Sequence, residues 1–254
     1  MLQKSDIWMT TAAYSHLGDC DILMITAARP SSNVSSSDEW MTSNLQLLSR
    51  IQQDIGKYAS NKILISATNP SDVCTYYHYK NLGWDRSKII GFCVNDSVRV
   101  RWALSIVMGL DYKEIDALCI GEHGPKQVPL WDKVTYRGKP LEVPVELREK
   151  AYQTIDAWTT EFLTIADART TGWLSCISLS QLVADIAQGS KRPISVTTPL
   201  DGEYGQKGIC LGVPAILGPN GVEKIVEMEL SPSESADFQE AATKVRGLLK
   251  DAGI

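Results

Sequence analysis

Lys62-Ile63-Leu64-Ile65-Ser66-Ala67 runs directly into Thr68-Asn69-Pro70. A short apolar run stopped by a proline reads as a strand buried on both faces. Upstream, Asp21-Ile22-Leu23-Met24-Ile25-Thr26-Ala27 has the same texture, and downstream Lys88-Ile89-Ile90-Gly91 gives a third short strand. Between the first two, Met41, Leu45, Leu48, Ile51 and Ile55 recur at helical spacing. Between the second and third, a Tyr-rich stretch from about Ser71 to Asn81 reads as another helix. Strand, helix, strand, helix, strand predicts parallel βαβ units with helices on the sheet faces. Active sites in such sheets lie beyond the C-terminal strand ends, which here are Thr26-Ala27, Thr68-Asn69 and Gly91.

Ser31 to Ser37 is polar, holds five serines and reads as a mobile loop, with Ser36 and Glu39 forming a capping box at the next helix. After Gly91 the texture changes. Asp96–Gly109, Val145–Ala168 and Ser175–Gln188 read as helices. The apolar runs Gly208–Leu217 and Val222–Leu230 are joined by Gly218-Pro219-Asn220-Gly221, where Asn-Gly signals a hairpin. Ser231-Pro232-Ser233-Glu234 opens a last helix with a capping box, and Phe238, Ala241, Ala242, Val245 and Leu248 give it one apolar face. The expectation is an α/β fold: a parallel sheet in residues 1–91, then an α+β unit in residues 92–254.

The length of 254 residues supports a substantial core without staples. A net charge of −5 and the lack of a basic run disfavour nucleic acid or anionic membrane as partners. The six cysteines form no CxxC pair, so neither a metal knuckle nor a disulfide scaffold is indicated. They read as buried small apolar side chains in a reducing cytoplasm. No metal is expected, and neither a signal peptide nor a membrane-spanning run is found.

Among the three histidines, His16 and His78 read as solvated or structural. His123 sits in Gly121-Glu122-His123-Gly124, just after the apolar run Ala117–Ile120, and its flanking glycines let the backbone carry an imidazole to a cleft. Taken alone it would still be a loop residue more often than a catalyst. In Asn95-Asp96-Ser97-Val98-Arg99-Val100-Arg101, Asp96 and Arg99 share one helix face. A carboxylate can hold a histidine's tautomer, and a guanidinium can grip a carboxylate bidentately. On spacing alone the plainer reading, a capped helix start with a surface arginine, is favoured. Thr68-Asn69-Pro70 reads about equally as a site segment and as a helix-entry turn.

These segments, taken together, resemble the lactate/malate dehydrogenase family. Matching in order are Ile25-Thr26-Ala27, Thr68-Asn69-Pro70 with Asp72-Val73 and Tyr79-Lys80, Asp96-Ser97-Val98-Arg99-Val100-Arg101, and Gly121-Glu122-His123-Gly124 with Val128-Pro129-Leu130. The tail also matches, at Leu200-Asp201-Gly202-Glu203-Tyr204-Gly205, Leu211-Gly212-Val213-Pro214 and Gly221-Val222-Glu223. The resemblance implies a Rossmann-type sheet and hydride transfer between NAD, with NADP not excluded, and a small 2-hydroxy or 2-oxo acid. It implies His123 as proton donor and acceptor, Asp96 as its orienting carboxylate, and Arg99, Asn69 and Thr171 as substrate contacts. Thr26, Ala27, Asn44, Ala67, Thr68 and Asn69 would meet the cofactor. A homo-oligomer, dimer or tetramer, is also implied.

Three departures stand against that pattern. The family opens with a strand, a Gly-rich turn, a helix and a second strand, whereas this sequence holds no Gly-x-Gly-x-x-Gly, so a truncated sheet is expected. Ser31 and Ser37 stand where the resemblance places residues of the loop that closes on substrate, Ser37 in place of an arginine that polarises the reacting carbonyl. Pro125 follows His123-Gly124 where the family usually has Asp. A malate-like or lactate-like enzyme is the expectation, with a non-catalytic subunit or binding module as the alternative.

Overall fold

The computed structural model describes residues 9–30, 37–165 and 172–254. Ser31, the Ser36 cap, Ala168 and Thr171 lie outside the described residues. In chain order the elements are β1 (Ile22–Ile25), α1 (Ser37–Tyr58), β2 (Ile63–Ser66), α2 (Ser71–Leu82), β3 (Ile89–Gly91) and α3 (Val94–Met108). There follow β4 (Ile115–Asp116), β5 (Cys119–Gly121), β6 (Gln127–Pro129), β7 (Thr135–Tyr136), β8 (Lys139–Pro140), α4 (Val145–Ile165) and α5 (Gly172–Gln188). The chain ends in β9 (Ile194–Asp201), β10 (Lys207–Gly218), β11 (Gly221–Ile225) and α6 (Pro232–Asp251).

The expected parallel start is present: β1 pairs β2 and β2 pairs β3 in parallel, with Ile25 opposite Ser66 and Ser66 opposite Gly91. All four β2 residues are buried, as a strand covered by helices on both faces requires. Leu48 and Ile55 of α1 turn into this core and Met41 into the neighbouring cluster with Val73 and Phe238, so the helical spacing read from the sequence selects the buried face.

The sheet does not end at Gly91. Its order is β1-β2-β3-β9-β10-β5-β6, with β11 added to β10, and a separate small sheet holds β4, β7 and β8. Antiparallel pairing of β3 with β9 places Gly91 opposite Thr197. A side chain at Gly91 would run into Thr75 of α2 and come within 2.8 Å of Thr197 Cβ, so only glycine lets helix and strand approach this closely. One mixed sheet therefore carries the three parallel strand ends and the β5 turn into a common core.

β9 was not anticipated. Ile194-Ser195-Val196-Thr197-Thr198-Pro199-Leu200 looks polar and proline-broken, yet Ser195, Val196, Thr197, Thr198 and Leu200 are all buried. Its hydroxyls find partners inside: Ser97 Oγ at 3.3 Å from Ser195 Oγ, the Asp72 carboxylate at 3.1 Å from Thr197 Oγ1, and Ile89 O at 3.2 Å from Thr198 Oγ1. Satisfied hydroxyls remove the desolvation penalty that makes such a run look like surface.

The expected hairpin forms, but the strand after it ends early. The hairpin between β10 and β11 pairs Gly218 with Gly221, so Pro219 and Asn220 form the loop, and Gly221 takes φ +97°. The strand expected through Leu230 stops at Ile225. Beyond it the Tyr204 hydroxyl accepts from Met228 N at 2.8 Å and donates to Val226 O at 3.1 Å, drawing the chain off the ladder. The capping box at Ser231 and Glu234 is formed. Phe238, Ala241, Ala242 and Val245 are buried as read, joined by Leu249, while Leu248 is only half-buried.

His78 is wholly buried on α2, and neither ring nitrogen has a hydrogen-bond partner among the described residues. Burial pushes its pKa down to about 4 from 6.5. Between those values the unfolded chain takes up a proton that the folded chain refuses, so stability falls as pH drops from 6.5 towards 4. His78→Leu removes that contribution. Its chemical-denaturation midpoint is expected to change less than the wild type's between pH 7 and pH 5.

Candidate active site

β5 ends at Gly121, whose φ of +88° turns the chain sharply and puts Glu122 and His123 on the rim of the sheet. Glu122 is buried and ties the turn down: its carboxylate meets Lys244 Nζ of α6 at 2.6 Å and accepts from Lys126 N at 2.9 Å. A β-carbon at Gly124 would stand 2.8 Å from the Glu122 carboxylate and push it from its place. The turn is thus rigid before its histidine is considered.

His123 Nδ1 lies 2.7 Å from Asp96 Oδ2. Asp96 sits in the first turn of α3, and its other oxygen, Oδ1, accepts from Arg99 Nη1 at 3.3 Å. The helix spacing read from the sequence does place Asp96 and Arg99 on one face, and that face is the one turned to His123. With Nδ1 directed to the carboxylate, Nε2 is the nitrogen left to exchange a proton with a ligand, and no described residue engages it. Burial works against a charged imidazole at His123. The Asp96 carboxylate, by charge and by hydrogen bond, outweighs it with help from Asp72, and the pKa is held above the ordinary 6.5.

The Arg99 guanidinium is held but unspent. Its carbon stands 5.2 Å from the centre of the Trp158 ring, and Trp158 packs edge-on against Trp102. Arg99 Nε is buried without a hydrogen-bond partner. A planar cation with an unmatched buried donor is poised for a carboxylate.

The other face of the site is built from the parallel strand ends. Thr68 Oγ1 donates to Ala27 O at 2.8 Å, bracing the ends of β2 and β1 against each other. Asn44 of α1 is fully buried, accepts from Arg29 N at 2.7 Å and donates to Asn69 O at 2.8 Å. Asn44 therefore brackets the two strand ends, and Thr26 remains exposed. The Asn69 side chain is half-buried and no described residue binds its amide, so it is free to meet a ligand. Ala27 and Ala67 are half-buried beside it.

Two residues carry more than the sequence reading gave them. Asp72, quoted only as part of a motif, is buried in the first turn of α2 and accepts from His123 N at 2.8 Å. Asn95 is buried beside Asp96, donates to Ser175 Oγ of α5 at 3.2 Å and leaves its Oδ1 without a partner. A carboxylate or amide in the first turn of a helix, where surface caps are common, gives no sequence sign of burial. No group of three or more His, Cys, Asp or Glu able to hold a metal occurs among the described residues.

A Rossmann-like sheet whose strand ends face a buried histidine–aspartate pair and an unspent arginine defines an α/β protein of the nicotinamide dehydrogenase class. Residues 1–91 match the lactate/malate dehydrogenase NAD binding domain, and residues 95–252 match the alpha/beta C-terminal domain of the same family. The chain is 33% identical over 243 residues to malate dehydrogenase of Bacillus israeli, covering 94% of this chain and 78% of that protein. It superposes on malate dehydrogenase of Aeropyrum pernix with a TM-score of 0.86 at 28% identity, covering 94% of this chain and 79% of the other. L-lactate dehydrogenase of Clostridium thermocellum gives a TM-score of 0.82 at 27% identity with the same coverage. The chain belongs to the lactate/malate dehydrogenase family.

Asp96→Asn leaves burial as the main influence on His123. The imidazole is then expected to titrate below the ordinary 6.5, read by NMR of its ring carbon. An unmoved titration would remove Asp96 as the source of the shift.

Proposed function

We propose that the chain is an oxidoreductase interconverting a small 2-hydroxy acid and its 2-oxo acid with NAD. The 2.7 Å His123–Asp96 pair, with Arg99 on the carboxylate's second oxygen, carries this reading. The strand ends Thr26-Ala27 and Ala67-Thr68-Asn69, framed by Asn44, fit the nicotinamide end, because the Asn69 amide is free to contact it. When bound, NAD supplies or accepts the hydride at the substrate's C2. His123 Nε2 gives a proton to the carbonyl oxygen during reduction and takes it back during oxidation. Asp96 orients the ring through Nδ1 and stabilises the imidazolium. Arg99 receives the substrate carboxylate at its unpaired edge. The intact proton pair gives the non-catalytic alternative no support.

Malate is the substrate favoured, because curated relatives at 33% and 30% identity are malate dehydrogenases. A division at residue 91 into cofactor-binding and substrate-binding parts accords with the two family matches, 1–91 and 95–252. A homo-oligomer accords with exposed Trp173 and Ile177 on one stripe of α5. A cytoplasmic setting accords with the six cysteines being free, although Cys20 and Cys176 are exposed rather than buried as expected. No helix among the described residues is long and apolar enough to cross a membrane.

The test is NADH oxidation with oxaloacetate and pyruvate across pH. Reduction needs His123 charged, so its rate is expected to fall as pH rises through the elevated imidazole pKa. Oxidation of the hydroxy acid needs the neutral ring and is expected to rise through the same pH. NADH binding without turnover of either acid would defeat the assignment.

Ser31 and Ser37 leave the loop without guanidinium groups. Restoring them with Ser31→Arg and Ser37→Arg together is expected to raise kcat/KM for oxaloacetate by about 10²–10³, the usual worth of a donor at a developing oxyanion. Steady-state kinetics on the double variant measures it.

A further inference from the structure

Asp72 is a second buried carboxylate behind His123, on the opposite side from Asp96 in the chain of contacts. It accepts from His123 N at 2.8 Å through Oδ2 and from Thr197 Oγ1 at 3.1 Å through Oδ1. It stands three residues after Asn69, at the start of α2. One side chain thus joins the strand end that presents Asn69, the central strand β9 and the turn that presents His123. Among the described residues, the positive charge acting on it is that of His123. Glu122 opposes it from the same turn, with its own charge taken up by Lys244 of α6. The thiols of Cys74 on its own helix, Cys93 after β3 and Cys210 on β10 are buried, and each is pushed up in pKa by burial and then by Asp72 or Asp96.

We propose that Asp72 is a positioning residue for His123: its buried carboxylate fixes the backbone of that residue and places a second negative charge behind its ring. The role rests on reading His123 as the proton carrier. Opposite charges favour each other's ionised forms. A charged His123 therefore stabilises ionised Asp72, and ionised Asp72 holds the proton on His123. Burial, with Glu122 adding to it, pushes Asp72 up to about 7, against the opposing hydrogen bonds and charge of His123 and Thr197. Asp72 therefore becomes anionic in the range where the imidazole must hold its proton for reduction. A hydrogen-bonding anchor without charge would set the same backbone and leave the ring's titration alone, which separates the two roles.

Asp72→Asn tests this. Asparagine keeps an oxygen for His123 N and an amide for Thr197 Oγ1, and removes only the charge. With three histidines in the chain, His123 is assigned in ring-carbon NMR spectra by its loss in His123→Gln. In Asp72→Asn the His123 titration is expected to move down by about half a unit or more, and the alkaline limb of 2-oxo acid reduction to move with it. Thr197→Val keeps the carboxylate but withdraws a bond that favours its ionised form, so His123 is expected to shift in the same direction by less. A folded Asp72→Asn chain whose His123 titrates as in the wild type overturns the proposal. If that variant does not fold, an unmoved titration in Thr197→Val overturns it instead. The readout does not need turnover. If the variants show these shifts while the wild type reduces no 2-oxo acid, the enzymatic reading is defeated and the coupling stays in place.

Discussion

The carboxylate of Asp96 constrains everything around it. A lone buried anion costs several kcal/mol of desolvation. Here one oxygen faces an imidazole and the other a guanidinium. Both partners are held at fixed positions on it, and it favours the charged form of the imidazole. The spacing between His123 and Arg99 is then set by one side chain, not by two independent loops. A substrate with a carbonyl next to a carboxylate needs just such a fixed pair, since misplacement by an ångström can cost about a hundredfold in rate.

That pair would be useless on a mobile support. His123 rides on a turn bolted to α6 through Glu122 and Lys244, and to α2 and β9 through Asp72 and Thr197. Asp96 rides on α3, whose Ser97 hydroxyl accepts from Cys119 N at 2.9 Å and reaches Ser195 on β9. The polar residues of β9 therefore are the frame's fasteners. Replacing them by apolar residues of similar size would keep the burial and lose the registration of three elements on one strand.

This explains what could be read from the sequence. The parallel start was legible because its strands are apolar on both faces and its helices show a regular stripe. His123, Asp96, Arg99 and Asn69 were legible as motif members, and the structure brings the first three into direct contact. β9 was not legible because its hydroxyls and Pro199 mimic a loop until their partners are known. Asp72 and Asn95 were not legible as buried groups, because first-turn Asp and Asn are ordinary caps on exposed helices. The end of β11 depended on a tyrosine more than twenty residues earlier in the chain, a contact that no local pattern carries.

The frame and the loop answer to different demands. Asn44 fixes Arg29 and Asn69 to each other, Thr68 fixes β2 to β1, and Asp72 fixes His123. None of these bonds needs a charge at Ser31 or Ser37. The proton pair is therefore positioned by contacts among residues outside that loop. On the proposed reading, Asp96 and Asp72 then govern whether the proton is there to give, and they do so through contacts independent of the loop's charge.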